Sequence, residues 1–262
     1  MATPHVKAIT SRDNALLVRL RKVAGDGAAY RKTGQVWIEG EHLCSAFAQR
    51  GATVMQAVIG ESGWSRPGLR QLANVAESVV LLPDALMAHI STLESPAPIG
   101  FIVAWSGGAA LLPDAPSVVL DRLQDAGNVG AVLRSAAAFG FGQVIALKGT
   151  AALWAPKVLR AGMGAHFGLH LVEAVDAAAL DGLRLPWLAT SSHAAQSIHT
   201  AELPWPCAWV LGHEGQGIAA PLLKRCSMAL RIPQPGGEES LNVAAAAAVC
   251  LYESARQRLG AA

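Results

Sequence analysis

No run of about 18 uninterrupted apolar residues occurs in the chain, which excludes a membrane-spanning helix by length alone. The mean hydropathy of +0.33 is high for a protein without such a run. Much of it comes from alanine, in clusters such as Ala136–Ala138 and Ala244–Ala248. The four cysteines (Cys44, Cys207, Cys226, Cys250) never fall at CxxC spacing. This argues against a disulfide framework and a Cys-rich zinc site, and for a reducing, cytoplasmic setting. The scattered histidines offer no ligand cluster, so no metal is expected. Residues Met1 to Thr10 lack an apolar segment of the kind a secretory signal needs. Internal repeats and low-complexity tails are also missing. Charged residues make up only 15% against 52% apolar, so a sizeable core is available and global disorder is excluded.

A net charge of +2 says nothing about partners by itself, but its distribution does. The first 32 residues carry seven basic side chains against two acidic ones, a net of +5, which leaves −3 for the other 230. Arg12, Arg19, Lys22, Arg31 and Lys32 lie in this stretch. A basic segment on a near-neutral body suits a polyanion such as RNA. A solvated helix face fits the same residues.

Hydrophobic spacing divides the chain into two α/β halves. In the first, residues 11–24 form a helix capped by Ser11 or Asp13, with Leu16, Leu17, Leu20 and Val23 on one face. Strands follow at 35–38, 54–59, 78–82 and 101–105, with helices at 41–49, 67–73 and 83–90. Residues 108–116, small and bearing proline and glycine, read as a linker. In the second half, strands at 117–120, 143–147, 187–190, 207–211 and 228–232 are short continuous apolar runs, as in a parallel sheet buried on both faces. Helices are expected at 129–139, 155–163, 220–225 and 241–259.

Three segments of the second half place polar residues or glycines just after a strand, where open α/β sheets bind ligands. The first runs from Asp121 to Arg134. Asn128 fits a helix N-cap, Gly130 permits close backbone approach, and Arg134 lies one turn beyond on an otherwise apolar helix. A capped helix with one snorkelling arginine accounts for the same residues. The second, Gly212-His213-Glu214-Gly215-Gln216-Gly217, makes a tight backbone-lined turn with Glu214 held inside it. Its glycine order and late position exclude a dinucleotide fingerprint, and a turn without ligand remains open. The third, Ile232 to Val243, is a Pro/Gly loop entering an alanine-rich helix through Ser240 and Asn242. Ser240 fits an N-cap, a ligand contact, or both.

Taken together, and in this order, these segments resemble the three motifs of the SpoU-type (TrmH-type) RNA 2′-O-ribose methyltransferases of the SPOUT superfamily. The resemblance spans roughly Val118 to Glu253, and Pro156–Ala165 resembles the family's middle segment. Trp37-Ile38-Glu39-Gly40-Glu41-His42-Leu43 resembles, more loosely, the small L30e-like substrate-binding domain of many members. Three departures stand out. Ala126 replaces the usual proline before Asn128, His213 stands where asparagine often precedes the glutamate, and Ala244 follows Asn242-Val243 where serine is common.

The resemblance implies an α/β fold with a parallel sheet and a C-terminal trefoil knot, preceded by an L30e-like domain. The divisions would be 1–107, a linker at 108–116, and a methyltransferase domain at 117–262. It implies S-adenosylmethionine as cofactor, held largely by backbone at Gly212, Ile232 and Leu241, with Leu211 and Thr190 as further lining. It assigns Arg134 the central catalytic place, with Asn128, Glu214, Ser240 and Asn242 around it. His213 would serve the loop or touch substrate. A homodimer acting on RNA is implied, ribosomal RNA in preference to tRNA. Two rivals remain: a catalytically silent RNA-binding or assembly protein of the same fold, and methyl transfer to a base nitrogen.

Overall fold

The computed structural model describes residues 4–192, 194–236 and 241–260. The chain forms two compact units. The first takes residues up to Gly107 together with Trp154–Phe167, and the second takes Gly108–Leu153 and the chain from Gly168 onward.

The first unit contains β1 (His5–Ala8), α1 (Ala15–Gly25), α2 (Ala29–Thr33), β2 (Gln35–Glu39), α3 (Glu41–Ala48), β3 (Gln56–Gly60), α4 (Glu61–Trp64), α5 (Pro67–Ala73), β4 (Ser78–Leu82), α6 (Asp84–Ile90) and β5 (Ile99–Ala104). Its sheet has the order β1-β4-β3-β5-β2 and is mixed. β1, β4 and β3 run parallel, while β5 is antiparallel to both neighbours. The apolar face of α1 (Leu17, Leu20, Val23) buries against Trp37, Ile102, Met87 and Ile90, as the helical spacing requires. Asn14, not Ser11 or Asp13, caps α1, its side chain accepting from the Leu16 N–H at 2.9 Å. β1 escapes sequence reading because the alternation His5-Val6-Lys7-Ala8 is only four residues long, and in the fold all four are exposed.

The second unit contains β6 (Ser117–Leu120), α7 (Ala126–Ala138) and β7 (Gln143–Leu147). Next in sequence comes α8 (Pro156–Gly162), which packs on β2 of the first unit. The second unit resumes with β8 (His170–Val175), β9 (Trp187–Thr190), β10 (Ala208–Leu211), α9 (Ala220–Leu223), β11 (Met228–Leu230) and α10 (Val243–Gly260). Its six strands are all parallel, in the order β11-β9-β10-β6-β7-β8. The expected parallel sheet is therefore present, with one strand more than the apolar runs indicate. β8 is hidden by Glu173 at its centre, a buried carboxylate that accepts from the Leu153 N–H at 3.1 Å. A bulge at Ala174 (φ +57°) also breaks its period.

Residues 108–116 carry no regular element but are laced to the second unit. The Gln143 amide bonds both the N–H and the carbonyl of Leu112, and Asp114 pairs with Arg184. α10 packs on α7 and β10, where the Nε1–H of fully buried Trp209 donates to Ser254 Oγ at 2.9 Å.

β7 and β8 extend the sheet from β6 on one side, and β10, β9 and β11 on the other. Such a reversal of strand order opens a crevice at the carboxyl ends of the strands. The loops after β6, β9, β10 and β11 all emerge at that edge, and they carry the three motif segments.

Candidate active site

α7 begins at Ala126, three residues earlier than the apolar spacing suggests, and its cap is Asp125. The Asp125 carboxylate accepts the Asn128 N–H at 2.7 Å. Asn128 is thus not the cap, and its side chain is free for contacts distant in sequence. Its Nδ2 donates to Glu214 Oε1 at 3.2 Å, and its Oδ1 accepts from Asn242 Nδ2 at 2.9 Å. Asn242 in turn caps α10, its Oδ1 accepting from the N–H groups of Ala244 (2.9 Å) and Ala245 (3.3 Å). Ser240, the residue expected to cap this helix, lies outside the described residues.

The polarity of this chain is internally determined. A carboxylate only accepts, so Asn128 must present its NH₂ to Glu214 and its oxygen to Asn242. Asn242 must then turn its own oxygen to the helix, where two N–H groups await an acceptor. Glu214 also accepts from the N–H groups of Gln124 and Asp125, both at 3.2 Å. Partial burial pushes the Glu214 carboxyl up. Hydrogen bonds from its own backbone, from Gln124 and Asp125 and from Asn128 outweigh this and hold it below its ordinary value.

The loop bearing Glu214 closes on itself. The His213 N–H donates to the Gly217 carbonyl at 3.1 Å and the Gly217 N–H to the His213 carbonyl at 2.8 Å. His213 Nδ1 accepts from the N–H groups of Gly215 (3.0 Å) and Gln216 (3.2 Å). The imidazole therefore staples the turn. Gly212 makes the closure possible, because a Cβ there would sit 2.2 Å from Gly217 C and Ile218 N. Backbone atoms cannot yield as a side chain can.

Beside this loop lies a cavity of about 300 Å³, lined by Thr190, Gly212, Glu214, Ile218, Leu241 and Asn242 among others. An adjoining one of about 170 Å³ shares Thr190, Leu241 and Ala246 and adds Ile232 and Gln234. Four of the five expected cofactor positions (Thr190, Gly212, Ile232, Leu241) thus meet at one edge. Leu211 is buried within β10 and lines neither cavity. Gln234 Oε1 is buried and bonded to no described group, an acceptor left for a ligand donor. The size, the exposed loop backbone and this unused acceptor all fit a small polar ligand such as S-adenosylmethionine.

Arg134 is exposed on α7 and forms no hydrogen bond or ion pair with the described residues. The expected RNA-contacting residues Arg12, Arg19, Lys22, Arg31 and Lys32 are all exposed in the first unit, around and on α1 and α2. Sequence reasoning gave no role to Asp121, Gln234 or Ala246. Only Ala246 had a signal, the alanine run that permits close packing. Among the described residues no group of three His, Cys, Asp or Glu could hold a metal.

Residues 115–252 match the model described as the SpoU rRNA Methylase family. The 23S rRNA (guanosine(2553)-2′-O)-methyltransferase of Bacillus subtilis is 31% identical over 84% of this chain and 88% of its own. A solved RNA 2′-O ribose methyltransferase superposes with a TM-score of 0.80 at 31% identity, covering 97% of this chain and all of that one. An AdoMet-bound rRNA methyltransferase from Sinorhizobium meliloti shares the fold, with a TM-score of 0.85 over 97% of this chain and 98% of that one, at 24% identity.

Proposed function

Because this chain belongs to the SpoU rRNA methylase family, we propose that it transfers a methyl group from S-adenosylmethionine to a ribose 2′-hydroxyl of ribosomal RNA. The observation that carries this reading is the convergence of Asn128, Glu214 and Asn242, from three separate segments, beside the cavity lined by Gly212 and Leu241.

When bound, S-adenosylmethionine supplies a methyl group already activated by its sulfonium charge. The protein's task is then to hold the cofactor and aim the hydroxyl. Thr190, Gly212, Ile218, Ile232 and Leu241 would hold it, and Gln234 Oε1 would accept one of its donors. Asn128, Glu214 and Asn242 would keep the loops in register. Guanidinium groups keep their protons in proteins. Arg134, exposed and without a described partner, would therefore donate to ribose and a neighbouring phosphate, the hydroxyl proton leaving to phosphate or water.

The finer architecture follows the same reading. β10 lies between β6 and β9 rather than at an edge, which is compatible with a C-terminal segment threaded as a trefoil knot. The mixed sheet of the first unit supports an L30e-like RNA-binding domain at 1–107, followed by the 108–116 connection and a methyltransferase domain at 117–262. Val249, Tyr252 and Leu259 leave apolar surface exposed on α10, and a groove of about 400 Å³ opens beside Phe139 and Tyr252. This favours a homodimer through α10. The exposed arginines and lysines around α1 and α2 would contact RNA phosphates. Ribosomal RNA as substrate favours the cytoplasm, and no described helix is long and apolar enough to cross a membrane.

The test is nucleoside mass spectrometry of ribosomal RNA from a deletion strain and its parent. A 2′-O-methylnucleoside lost in the deletion and restored by the purified protein with S-adenosylmethionine is the expected result. A lost base methylation, or no difference, would overturn the reading.

A further inference from the structure

Arg122 follows β6 directly, and its backbone lies in the left-handed region at φ +61°, a conformation that residues with side chains adopt only at a cost. Its surroundings hold it there. The Arg122 N–H donates to Thr150 Oγ1 at 3.1 Å, and that hydroxyl donates to the Leu120 carbonyl at 3.0 Å. Nε and Nη2 donate to the two carboxylate oxygens of Asp121 at 2.8 and 3.1 Å. The Asp121 side chain is only 3% exposed. The remaining arm of the fork, Nη1, donates to Gln216 Oε1 at 3.0 Å. Asp121 Oδ2 also accepts from the Ala219 N–H at 2.7 Å.

One ion pair at the end of β6 thus ties down the 212–219 loop at two points, Gln216 and Ala219. Asp121, Arg122 and Gln216 line neither cavity beside Gly212, and they stand apart from the Asn128–Glu214–Asn242 chain. The other side of the same loop (Gly212, Glu214, Gly217, Ile218) forms the cavity wall. Backbone held in a costly conformation persists where its surroundings over-determine it, and such places cluster at functional sites.

From this geometry we propose that Arg122 is a positioning residue for the cofactor loop. Fixed by Asp121, it sets the 212–219 turn in its ligand-receiving shape and acts on the cavity only through Gln216 and Ala219. This rests on reading that cavity as the S-adenosylmethionine site. Arginine is required because its planar fork serves Asp121 twice and Gln216 once, directions that a lysine ammonium on its flexible stem does not fix.

The test uses the full chain carrying Arg122→Gly. Glycine accepts φ +61° freely, but the substitution leaves the buried Asp121 carboxylate without its guanidinium, so Arg122→Gly should also melt lower. Gln216→Ala, which keeps the ion pair, should stay within a few degrees of wild type and is the variant that separates loop positioning from fold loss. For Arg122→Gly, calorimetry should show the dissociation constant for S-adenosylmethionine raised about tenfold, the effect of one lost charge-assisted hydrogen bond. Amide exchange at 213–218 should quicken. Gln216→Ala cuts the same tie from the other side and should shift both readouts in the same direction. The double variant should be no worse than Arg122→Gly alone, and Arg122→Lys should not restore affinity. Wild-type exchange and affinity in either single variant would overturn the proposal. If the wild-type protein itself binds no S-adenosylmethionine, the cavity reading falls. Quickened exchange would then still support the brace, and unchanged exchange would overturn it too.

Discussion

Asn242 donates from Nδ2 to Oδ1 of Asn128 at 2.9 Å, joining the start of α10 to the first turn of α7 across 114 positions of sequence. Both partners are already committed on their other sides, Asn128 to Glu214 and Asn242 to the N–H groups of Ala244 and Ala245. The link therefore transmits the orientation of one helix start to the other and to the Glu214 loop.

This makes Asn128→Asp more damaging than Asn128→Ala. A carboxylate at 128 would face Glu214 without a proton to offer, replacing a donor by a like charge. Loss of the bond alone should cost about 0.5–1.5 kcal/mol, and the aspartate more. Urea denaturation of the two variants, with methyl transfer measured alongside, checks the order. Equal stability of the aspartate variant and wild type would show that the chain of amides does not hold the two helix starts together.

The pH dependence follows from Glu214. Its carboxyl is held below its ordinary value in the folded protein, so its contribution is present above the unfolded value of about 4.3 and is lost as pH falls through the lower, folded one. Wild-type stability should decline in acid below about pH 4 for this reason among others. Glu214→Gln, which cannot titrate, should show a shallower decline at lower starting stability. Urea midpoints measured from neutral pH down into this acid range are the check, and parallel curves would assign the acid loss elsewhere.

Gly212→Ala places a methyl against backbone rather than side chain, at 2.2 Å from Gly217 C and Ile218 N. The turn must open to admit it. The expected result is a loss of about 1–3 kcal/mol of stability and at least a tenfold weaker hold on S-adenosylmethionine, read by differential scanning and isothermal calorimetry. Unaltered affinity would mean that the closed turn does not shape the cofactor cavity.

Most of this site is legible in the sequence, for a physical reason. Glycines, short polar residues and an acid placed just after buried strands mark loops that must satisfy their own backbone, and in a parallel sheet those loops share an edge. The parallel sheet of the second unit and its α10 are readable from continuous apolar runs. What escapes are relationships rather than residues. Asn128 reads locally as a cap, and only the fold shows Asp125 taking that place so that Asn128 can reach Glu214 and Asn242. Asp121 reads only as the first residue after a strand, yet it is buried and ties down a loop nearly a hundred residues away. β8 is missed because a buried Glu173 breaks its apolar run.

The basic residues of the first unit should act on affinity. Arg12, Arg19, Lys22, Arg31 and Lys32 are exposed and lie in a different compact unit from the methyl-transfer motifs. Replacing Arg19, Lys22 and Lys32 by glutamine should weaken RNA binding and lower the slope of log K against log salt by about 0.7–0.9 for each phosphate no longer neutralised. Turnover at saturating RNA should be unchanged. An unaltered salt slope would return these side chains to the role of a solvated face.

Arg134→Ala should nearly abolish methyl transfer while leaving folding and cofactor affinity close to wild type. The side chain is exposed and makes no bond with the described residues, so its removal breaks nothing that holds α7, whose buried face is Val129, Val132, Leu133 and Ala136. Surface substitutions of this kind fall within about 0.5 kcal/mol. Arg134 is also absent from the lining of both cavities beside Gly212, so cofactor binding should survive. What is lost is the group proposed to orient ribose and phosphate, and misplaced reactants cost about 100-fold or more in rate. Arg134→Lys should not rescue it, since a point charge lacks the planar fork that holds two acceptors at once. Single-turnover methylation of ribosomal RNA, with melting temperature and cofactor affinity measured on the same preparation, separates the outcomes. A near-normal rate in Arg134→Ala would remove Arg134 from the chemistry. A slow rate with a collapsed melting temperature would make it structural, and a slow rate on an intact fold with intact cofactor binding is the expected result.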